Sequence, residues 1–213
     1  MLNIKRIITN MVEENCYVVS DETKEAVLID CGAYSARNES EIASYISSEN
    51  LVPVHQIYTH THFDHIFGCG FVARNYKINP ECHAVDASLY QNMDAQCRSF
   101  LGMPNQHEMP PLQRLLQEGD TVCFGNHSLR VIHTPGHTPG GICFYCEEEK
   151  VLFSGDSLFC MSIGRTDFPG GNHADLIKSL SEKVLTLPTD VKVYPGHGDN
   201  TTIGFEKENN PYF

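Results

Sequence analysis

The chain has 213 residues, of which 41% are hydrophobic and 20% charged, and its formal net charge is −12. This length and composition favour one globular domain with a sizeable core, and they exclude collagenous, coiled-coil and low-complexity proteins. The 15 Lys and Arg residues are scattered and are outnumbered by 27 Asp and Glu residues. Because nucleic-acid binding needs clustered basic side chains, this charge pattern predicts no nucleic-acid partner.

The nine cysteines do not form the pattern of a disulfide scaffold or of a zinc knuckle. Their number is odd, and the close pair Cys143 and Cys146 is not matched by a second pair elsewhere. No stretch approaches the roughly 18 consecutive apolar residues of a membrane span, and the first residues lack the apolar segment of a signal peptide. We therefore expect a cytoplasmic protein with reduced thiols and no membrane partner.

Short apolar runs rich in β-branched and aromatic residues predict strands along most of the chain. The predicted strands cover residues 4–9, 16–20, 26–30, 56–59, 121–124, 128–133, 142–146, 151–154 and 191–194. Apolar residues at helical spacing predict four helices, at residues 40–48, 66–76, 86–101 and 172–185. Residues 102–119 contain three prolines and are typical of an irregular loop or a lid. Strands interleaved with helices predict a single layered α/β domain over residues 1–213.

Four residues of metal-binding type lie between a predicted strand and a predicted helix. They are His60, His62, Asp64 and His65. If the chain stays extended past the strand, the first three point to one side, and the turn into the helix brings His65 beside them. Zinc, iron and manganese all accept neutral imidazole and carboxylate ligands. A polar surface loop rich in histidine is the alternative, but the regular spacing favours a metal site.

Three more ligand-type residues follow predicted strands and have glycine close by. His137 lies between two Pro-Gly turns, and Asp156 and His197 each follow a glycine directly. Because ligands gather at the carboxyl ends of strands in α/β sheets, we expect all seven side chains to build one site. The six remaining histidines are expected to be structural or solvated. They are His55, His83, His107, His127, His133 and His173.

The combined pattern resembles the complete motif set of the metallo-β-lactamase superfamily. This resemblance implies a four-layer αββα sandwich with two divalent metal ions at one edge between two sheets. Zinc is the first expectation, with iron or manganese as alternatives. The implied ligand sets are His60, His62 and His137 for one metal, Asp64, His65 and His197 for the second, and Asp156 as a bridge between them.

Two neighbouring dications lower the pKa of water and polarise a carbonyl group, so hydrolysis needs no serine nucleophile. The expected nucleophile is a hydroxide that bridges the metals, and Asp64 is expected to orient it. A thiolate leaves without a general acid, which makes a small-molecule thioester a suitable substrate. Lactones and other activated esters stay open as alternatives.

Residues 155–168 and 194–211 resemble the glyoxalase II-like branch, whose members hydrolyse hydroxyacylglutathione thioesters. Arg165 falls where longer members carry a lysine that contacts glutathione, which implies a substrate-binding role. The alternative is that Arg165 only ties down its own loop. The chain lacks a tyrosine that the longer enzymes carry near Asp167, and it stops at Phe213 without their C-terminal helical domain. We therefore expect a short, single-domain member of this branch.

Other functions remain open at this stage. A persulfide dioxygenase shares the stretch at residues 164–168 and uses one iron, held by the equivalents of His60, His137 and Asp156. A non-catalytic metal-binding domain is expected to lose one or more ligands, and none is lost. An antibiotic-hydrolysing β-lactamase is expected to be exported, and many carry a cysteine at the position of Asp156. The number and identity of the metals separate the dioxygenase from a two-metal hydrolase.

Overall fold

The computed structural model describes residues 1–213 and contains fourteen strands and seven α-helices. The strands are β1 (Asn3–Thr9), β2 (Glu14–Ser20), β3 (Glu25–Ile29), β4 (Val52–Ile57), β5 (Pro80–His83), β6 (Arg114–Leu116), β7 (Thr121–Phe124), β8 (His127–His133), β9 (Ile142–Cys146), β10 (Val151–Gly155), β11 (Leu158–Phe159), β12 (Ser162–Ile163), β13 (Lys192–Pro195) and β14 (Thr201–Thr202). The helices are α1 (Ala36–Ser48), α2 (Phe63–Ile66), α3 (Cys69–Tyr76), α4 (Ala87–Gln91), α5 (Met93–Leu101), α6 (His173–Ser179) and α7 (Ile203–Asn209).

Two six-stranded sheets form the centre of the molecule. The first has the order β1-β2-β3-β4-β5-β6, antiparallel from β1 to β3 and parallel from β3 to β6. The second has the order β14-β13-β10-β9-β8-β7, and its only parallel pair is β10 with β13. Parallel neighbours need a crossover between them, which explains why helices follow β3, β4, β5 and β10.

Alternation along the central strands sends apolar side chains to both faces of each sheet. In β3, Val27 and Ile29 pack between the sheets against residues of β8, β9 and β10, such as Phe144. Their neighbours Ala26 and Leu28 face the other way and pack against α1 and α3. Helix α6 covers the outer face of the second sheet in the same manner. The layers are therefore helix, sheet, sheet and helix in a single domain, which confirms the predicted αββα architecture.

The four predicted helices are present, but their bounds differ from the prediction. The helix expected at residues 66–76 begins at Phe63 and is interrupted at Gly68, whose amide donates to the carbonyl of Cys31 at 2.8 Å. The helix expected at 86–101 is broken at Asn92, and the one expected at 172–185 ends in a π-helical turn. Helix α1 begins four residues earlier than expected because Ser35 caps it.

Residues 102–119 are not a structureless loop. They contain β6, which extends the first sheet, and the hydroxyl of Tyr90 donates to the carbonyl of Pro110 at 2.6 Å. The ring of His107 lies 4.8 Å from that of Phe67. This segment therefore packs against the helices of the first sheet. The prediction also missed β5, the three two-residue strands and α7, which are too short or too polar to give a periodic signal.

None of the helices combines the length and the apolar character that a membrane crossing requires. All nine cysteines are free thiols. Of these, Cys123 and Cys160 are exposed and the other seven are buried, so the thiols behave mainly as small core residues. The expected cytoplasmic location stays a prediction.

Candidate metal centre

The seven predicted ligand residues lie beyond the carboxyl ends of four strands from both sheets. In chain order, β4 is followed by His60, His62, Asp64 and His65, β8 by His137, β10 by Asp156, and β13 by His197. These four strand ends meet at one edge between the sheets. As a result the structure brings all seven side chains together in overlapping groups of potential metal ligands.

The extended conformation expected for the first motif ends at His62. That residue has φ −66° and ψ 150°, and α2 begins directly after it. Asp64 therefore reaches the site from the first turn of a helix. The prediction of an extended segment at this residue was wrong. The side-chain amide of Asn10 fixes this turn by donating to the backbone carbonyl of Asp64 at 2.8 Å.

One group of potential ligands consists of three buried histidines. Nδ1 of His62 lies 2.9 Å from Nε2 of His137. The ring of His60 lies 4.8 Å from each of the other two rings. Their nearest ring nitrogens all lie within 4.8 Å of one another, which is close enough to share one metal ion.

A second group consists of Asp64, His65 and His197. Oδ2 of Asp64 lies 3.2 Å from Nε2 of His197 and 3.7 Å from Nε2 of His65. Asp156 lies between the two groups. Its Oδ1 is 3.4 Å from Nε2 of His65, and its Oδ2 is 3.5 Å from Nε2 of His137 and 3.7 Å from Nε2 of His197. The Asp156 carboxylate thus contacts both sets, and its two oxygens face ring nitrogens of each.

Hydrogen bonds outside the site orient the histidine rings. Nδ1 of His137 faces the carbonyl of Arg165 at 2.6 Å, and Nδ1 of His197 faces the carbonyl of Val12 at 3.0 Å. A carbonyl only accepts, so each Nδ1 carries the proton and each Nε2 presents a lone pair to the site. This arrangement is typical of metal-binding histidines, whose second nitrogen donates to an outer acceptor.

Several buried polar atoms at the centre of the site make no hydrogen bond within the protein. Nε2 of His60, Nε2 of His65 and Oδ1 of Asp156 are buried and make no hydrogen bond. Burying such atoms without a partner costs free energy, and most native sites avoid it. Cations bound at the site would satisfy all three atoms. The donor set of imidazole and carboxylate therefore fits divalent metal ions.

The electrostatics of the site favour the forms that bind metal. Burial lowers the pKa of His60 well below its usual value and lowers the pKa of His62 to about 3, so both are neutral. Burial by itself would raise the pKa of Asp156, but the neighbouring His65 and His197 outweigh it and hold that pKa well below the usual range. Neutral imidazole and ionised carboxylate are the ligand forms.

On the other side of the centre, protons compete with a metal. Burial lowers the pKa of His197, but the carboxylates of Asp156 and Asp64 outweigh it and raise that pKa. Metal binding at this side is therefore expected to weaken as the pH falls.

The residues that hold the ligand loops in place were not predicted from the sequence. Asp30, at φ 52°, accepts hydrogen bonds from the amide of Thr59 at 2.7 Å and from its hydroxyl at 2.6 Å. The same carboxylate lies 3.2 Å from Nδ1 of His65. Asn15 donates to the carbonyl of Pro195 at 3.0 Å and so fixes the turn before His197. The only signal in the sequence was a polar residue at the end or start of an apolar strand.

A cavity of about 660 Å³ opens onto five of the seven side chains, namely His62, Asp64, His137, Asp156 and His197. Seven of its fourteen lining residues are hydrophobic, and Arg165 is the only Lys or Arg among them. Arg165 donates two hydrogen bonds of 2.7 Å to the carboxylate of Asp167. No residue of 102–119 lines the cavity, so that segment is not a lid over it.

The other six histidines lie outside this site. His127 is the only one of them in a potential metal-binding group, with Asp21 and Glu22. The oxygens of Asp21 already accept hydrogen bonds from the amides of Thr23 and Asn126, and from the ring of His127 at 2.9 Å. This cluster is satisfied within the protein and gives no indication of a second metal site.

Comparisons with known proteins agree with this fold. The chain is 34% identical to hydroxyacylglutathione hydrolase GloC of Haemophilus influenzae over 212 residues, which cover 99% of this chain and 98% of that protein. The crystal structure of BLEG-1 B3 metallo-beta-lactamase matches with a TM-score of 0.91 at 36% identity and covers 100% of this chain and 99% of its own. The crystal structure of TTHA1623 in a di-iron-bound form matches with a TM-score of 0.86 at 34% identity. The match covers 98% of this chain and 100% of that chain.

A family model, described as the metallo-beta-lactamase superfamily, matches residues 10–197. This range includes every strand end that carries one of the seven side chains. The matched segment also spans both sheets, so the likeness is not confined to one motif. The chain therefore belongs to the metallo-β-lactamase superfamily.

Proposed function

We propose that this metal-dependent hydrolase binds two divalent ions and cleaves small-molecule thioesters, in the manner of a hydroxyacylglutathione hydrolase. The observation that carries the proposal is the position of Asp156. Its two oxygens lie 3.4 to 3.7 Å from ring nitrogens of both ligand groups. One metal ion would use only some of the seven ligand side chains, whereas two ions that share Asp156 would use all of them.

The proposed ligands of one ion are His60, His62 and His137, those of the other are Asp64, His65 and His197, and Asp156 is shared. When bound, two such ions lower the pKa of water and polarise a carbonyl group. Asp64 is proposed to accept a hydrogen bond from the attacking water and so to orient it towards the carbonyl carbon. Zinc is the first candidate, and iron and manganese suit the same donors.

The cavity favours a leaving group that departs without a proton. Apart from the proposed metal ligands, its polar lining consists of Ser162 and Arg165, and neither is a general acid at neutral pH. A thiolate leaves readily because the pKa of a thiol is about 8.5. The relative named hydroxyacylglutathione hydrolase, which matches over the whole chain, supports the same substrate class.

A mono-iron persulfide dioxygenase is the alternative, with His60, His137 and Asp156 as ligands. A mono-iron site would not use Asp64 and His197 as metal ligands, although their side chains lie 3.2 Å apart beside Asp156. The geometry therefore favours the hydrolase. The di-iron form of TTHA1623 supports a two-metal site and keeps iron open as the native metal.

The test is to purify the protein without added metal and to measure zinc, iron and manganese per chain. The same sample is then assayed with S-lactoylglutathione, with glutathione persulfide and with a β-lactam. We expect about two metals per chain and thioester hydrolysis. One iron with oxygen consumption, or hydrolysis of the β-lactam alone, would overturn the proposal. Asp156→Asn should lose metal and activity, whereas Asp190→Asn, in an exposed ion pair with Lys150, should keep both.

A further inference from the structure

Three phenylalanines form a continuous aromatic wall along one side of the cavity. Phe63 of α2 stacks on Phe100 of α5, with ring centroids 5.2 Å apart and planes at 24°. The edge of Phe100 contacts Phe168, from the segment before α6, at 4.9 Å. All three rings line the cavity. We call this surface the aromatic wall.

The wall directly adjoins the proposed metal ligands. The ring of Phe168 lies 5.6 Å from the ring of His62, at 89°. Phe63 precedes Asp64 in the chain, and its amide donates to Oε1 of Gln96 at 3.0 Å, which ties α2 to α5. A group attached to a carbonyl carbon at the metal site would therefore lie against the wall. Phe100 is 40% exposed, so part of the apolar surface has no partner within the chain.

The charges around the cavity also favour an uncharged substrate group beside the aromatic wall. Arg165 is its only Lys or Arg, and its guanidinium lies 4.0 Å from the centre of the Phe168 ring while it pairs with Asp167. The face of that ring on the Arg165 side is thus already occupied by a cation. Apart from Arg165, which pairs with Asp167, no cation lies beside the wall to recognise a charged acyl group, and Ser162 is the only hydroxyl in the lining.

We propose that the preferred acyl group is flat and apolar, of the arylacetyl or related aromatic class, and that it packs against the aromatic wall. This inference rests on the proposed thioesterase function and names the acyl part of its substrate. Apolar and aromatic groups gain from contact with such a surface, whereas a small hydroxyacyl group covers little of it. The thiol part of the substrate lies outside this inference.

The reaction is a hydrolysis and balances with water alone. A bond forms between the water oxygen and the carbonyl carbon, and the carbon–sulfur bond breaks. Sulfur leaves with the bonding electron pair as a thiolate, and the products are an aromatic carboxylate, a thiol or thiolate and the released protons. Nothing is oxidised or reduced.

The test uses the full chain with its metals and two thioesters of the neutral thiol N-acetylcysteamine, one phenylacetyl and one acetyl. The shared thiol removes any contribution from glutathione. We expect kcat/KM to be at least about tenfold higher for the phenylacetyl thioester. Phe100→Ala should lower this preference roughly tenfold at an unchanged metal content, because it removes the middle ring of the wall.

Phe205→Ala is the matched control, since Phe205 is 44% exposed and does not line the cavity. It should leave the preference unchanged. Equal rates for the two thioesters, or an equal loss for both in Phe100→Ala, would refute the inference while thioester hydrolysis itself stands. If neither thioester is cleaved, the proposed function fails. Calorimetric binding of phenylacetate and acetate then decides the role of the wall, because selective binding that depends on Phe100 supports it and unselective binding refutes it.

Discussion

Oδ2 of Asp86 lies 2.9 Å from the hydroxyl of Thr138, and this hydrogen bond joins two segments that are 52 residues apart in the chain. Oδ1 of the same carboxylate accepts from the amide of Gly140 at 2.6 Å. The amide of Thr61 also donates to Oδ2, at 3.3 Å. Asp86 thus connects the residue between the first two ligand histidines to the loop that carries His137, and it acts as a positioning residue for both.

We predict that Asp86→Asn weakens metal binding by about 10- to 100-fold and lowers activity with it. An amide offers one oxygen where the carboxylate offers two, so the amide of Thr61 or that of Gly140 loses its buried acceptor. Such a loss costs about 1–3 kcal/mol of folding free energy. Titration of the metal-free protein with zinc, followed by calorimetry, measures the effect. Full metal affinity in a folded Asp86→Asn variant would remove Asp86 from its positioning role.

A second prediction concerns Gly196, which lies against Asp156 and His65. A Cβ atom at this position would overlap Oδ1 of Asp156 and come within 2.7 Å of Cε1 of His65. Both neighbours belong to the proposed metal site, and their side chains are only 0% (His65) and 12% (Asp156) exposed. Gly196→Ala should therefore lower the metal content and reduce kcat/KM at least about tenfold, with a loss of roughly 1–3 kcal/mol in stability.

Gly102→Ala is the control for this substitution. Gly102 has φ 70° and no atom within 4 Å of an added Cβ. The change should cost about 1–2 kcal/mol through its left-handed backbone, without any effect on metal content. If the two variants lose the same stability and both keep their metals, crowding at Gly196 does not control the site.

The sequence predicted which side chains gather at the site better than it predicted the framework that holds them. Strands at residues 121–124 and 142–146 agree with β7 and β9 because their apolar runs end sharply at turn residues. The position of His137 between glycine-rich turns made its loop recognisable as well. These signals depend only on residues close together in the chain, so one amino-acid sequence is enough to detect them.

The remaining features depend on contacts between distant segments. Asp86 was predicted as the start of a helix, and nothing near it in the chain indicates hydrogen bonds to residues 25 and 52 positions away. The aromatic wall was missed for the same reason, since Phe63, Phe100 and Phe168 come from three separate elements. Strand β5 begins with proline and contains Glu81, and therefore gives no apolar pattern.

A third prediction separates the two roles considered for Arg165. The guanidinium pairs with Asp167 at 2.7 Å, but this pair is exposed and contributes little stability, so a carboxylate of the substrate can compete for it. We expect Arg165→Gln to raise KM for S-lactoylglutathione about 5- to 10-fold at a similar kcat. The backbone carbonyl that accepts from His137 remains in the variant.

If Arg165 only ties down its loop, kcat and metal content should fall while KM stays the same, and that result would contradict the substrate-binding role. Arg98→Gln provides the matched control. Arg98 pairs with Asp94 at 2.7 Å on the surface of α5 and does not line the cavity. Its loss should leave both kinetic constants unchanged.

The last prediction concerns the pH dependence of stability and rests on His55 of β4. Nδ1 of His55 donates to Oε1 of the buried Glu81 at 2.6 Å, and Nε2 faces the carbonyl of Cys123, in the second sheet, at 3.2 Å. Both partners are acceptors, so the protonated ring satisfies them and links the two sheets. The hydrogen bond with Glu81 is the main reason that the pKa of His55 is raised above its usual value, against the effect of burial.

A raised pKa in the folded state means that the protonated ring stabilises the fold fully below the ordinary histidine pKa of about 6.5, and that this stabilisation is lost as the pH rises through the folded-state pKa. His55→Gln does not titrate at this position. Its cost in unfolding free energy should therefore be about 1 kcal/mol larger at pH 5.5 than at pH 9, a figure that allows for partial exposure. Urea unfolding of both proteins at the two pH values measures it. The active-site histidines titrate in both proteins, so their contribution cancels in the difference.

A double-mutant cycle with Glu81→Gln isolates the interaction between His55 and Glu81. The coupling free energy between these two residues should be smaller at pH 9 than at pH 5.5. An equal coupling free energy at both pH values would show that the His55 ring is not protonated in the folded protein.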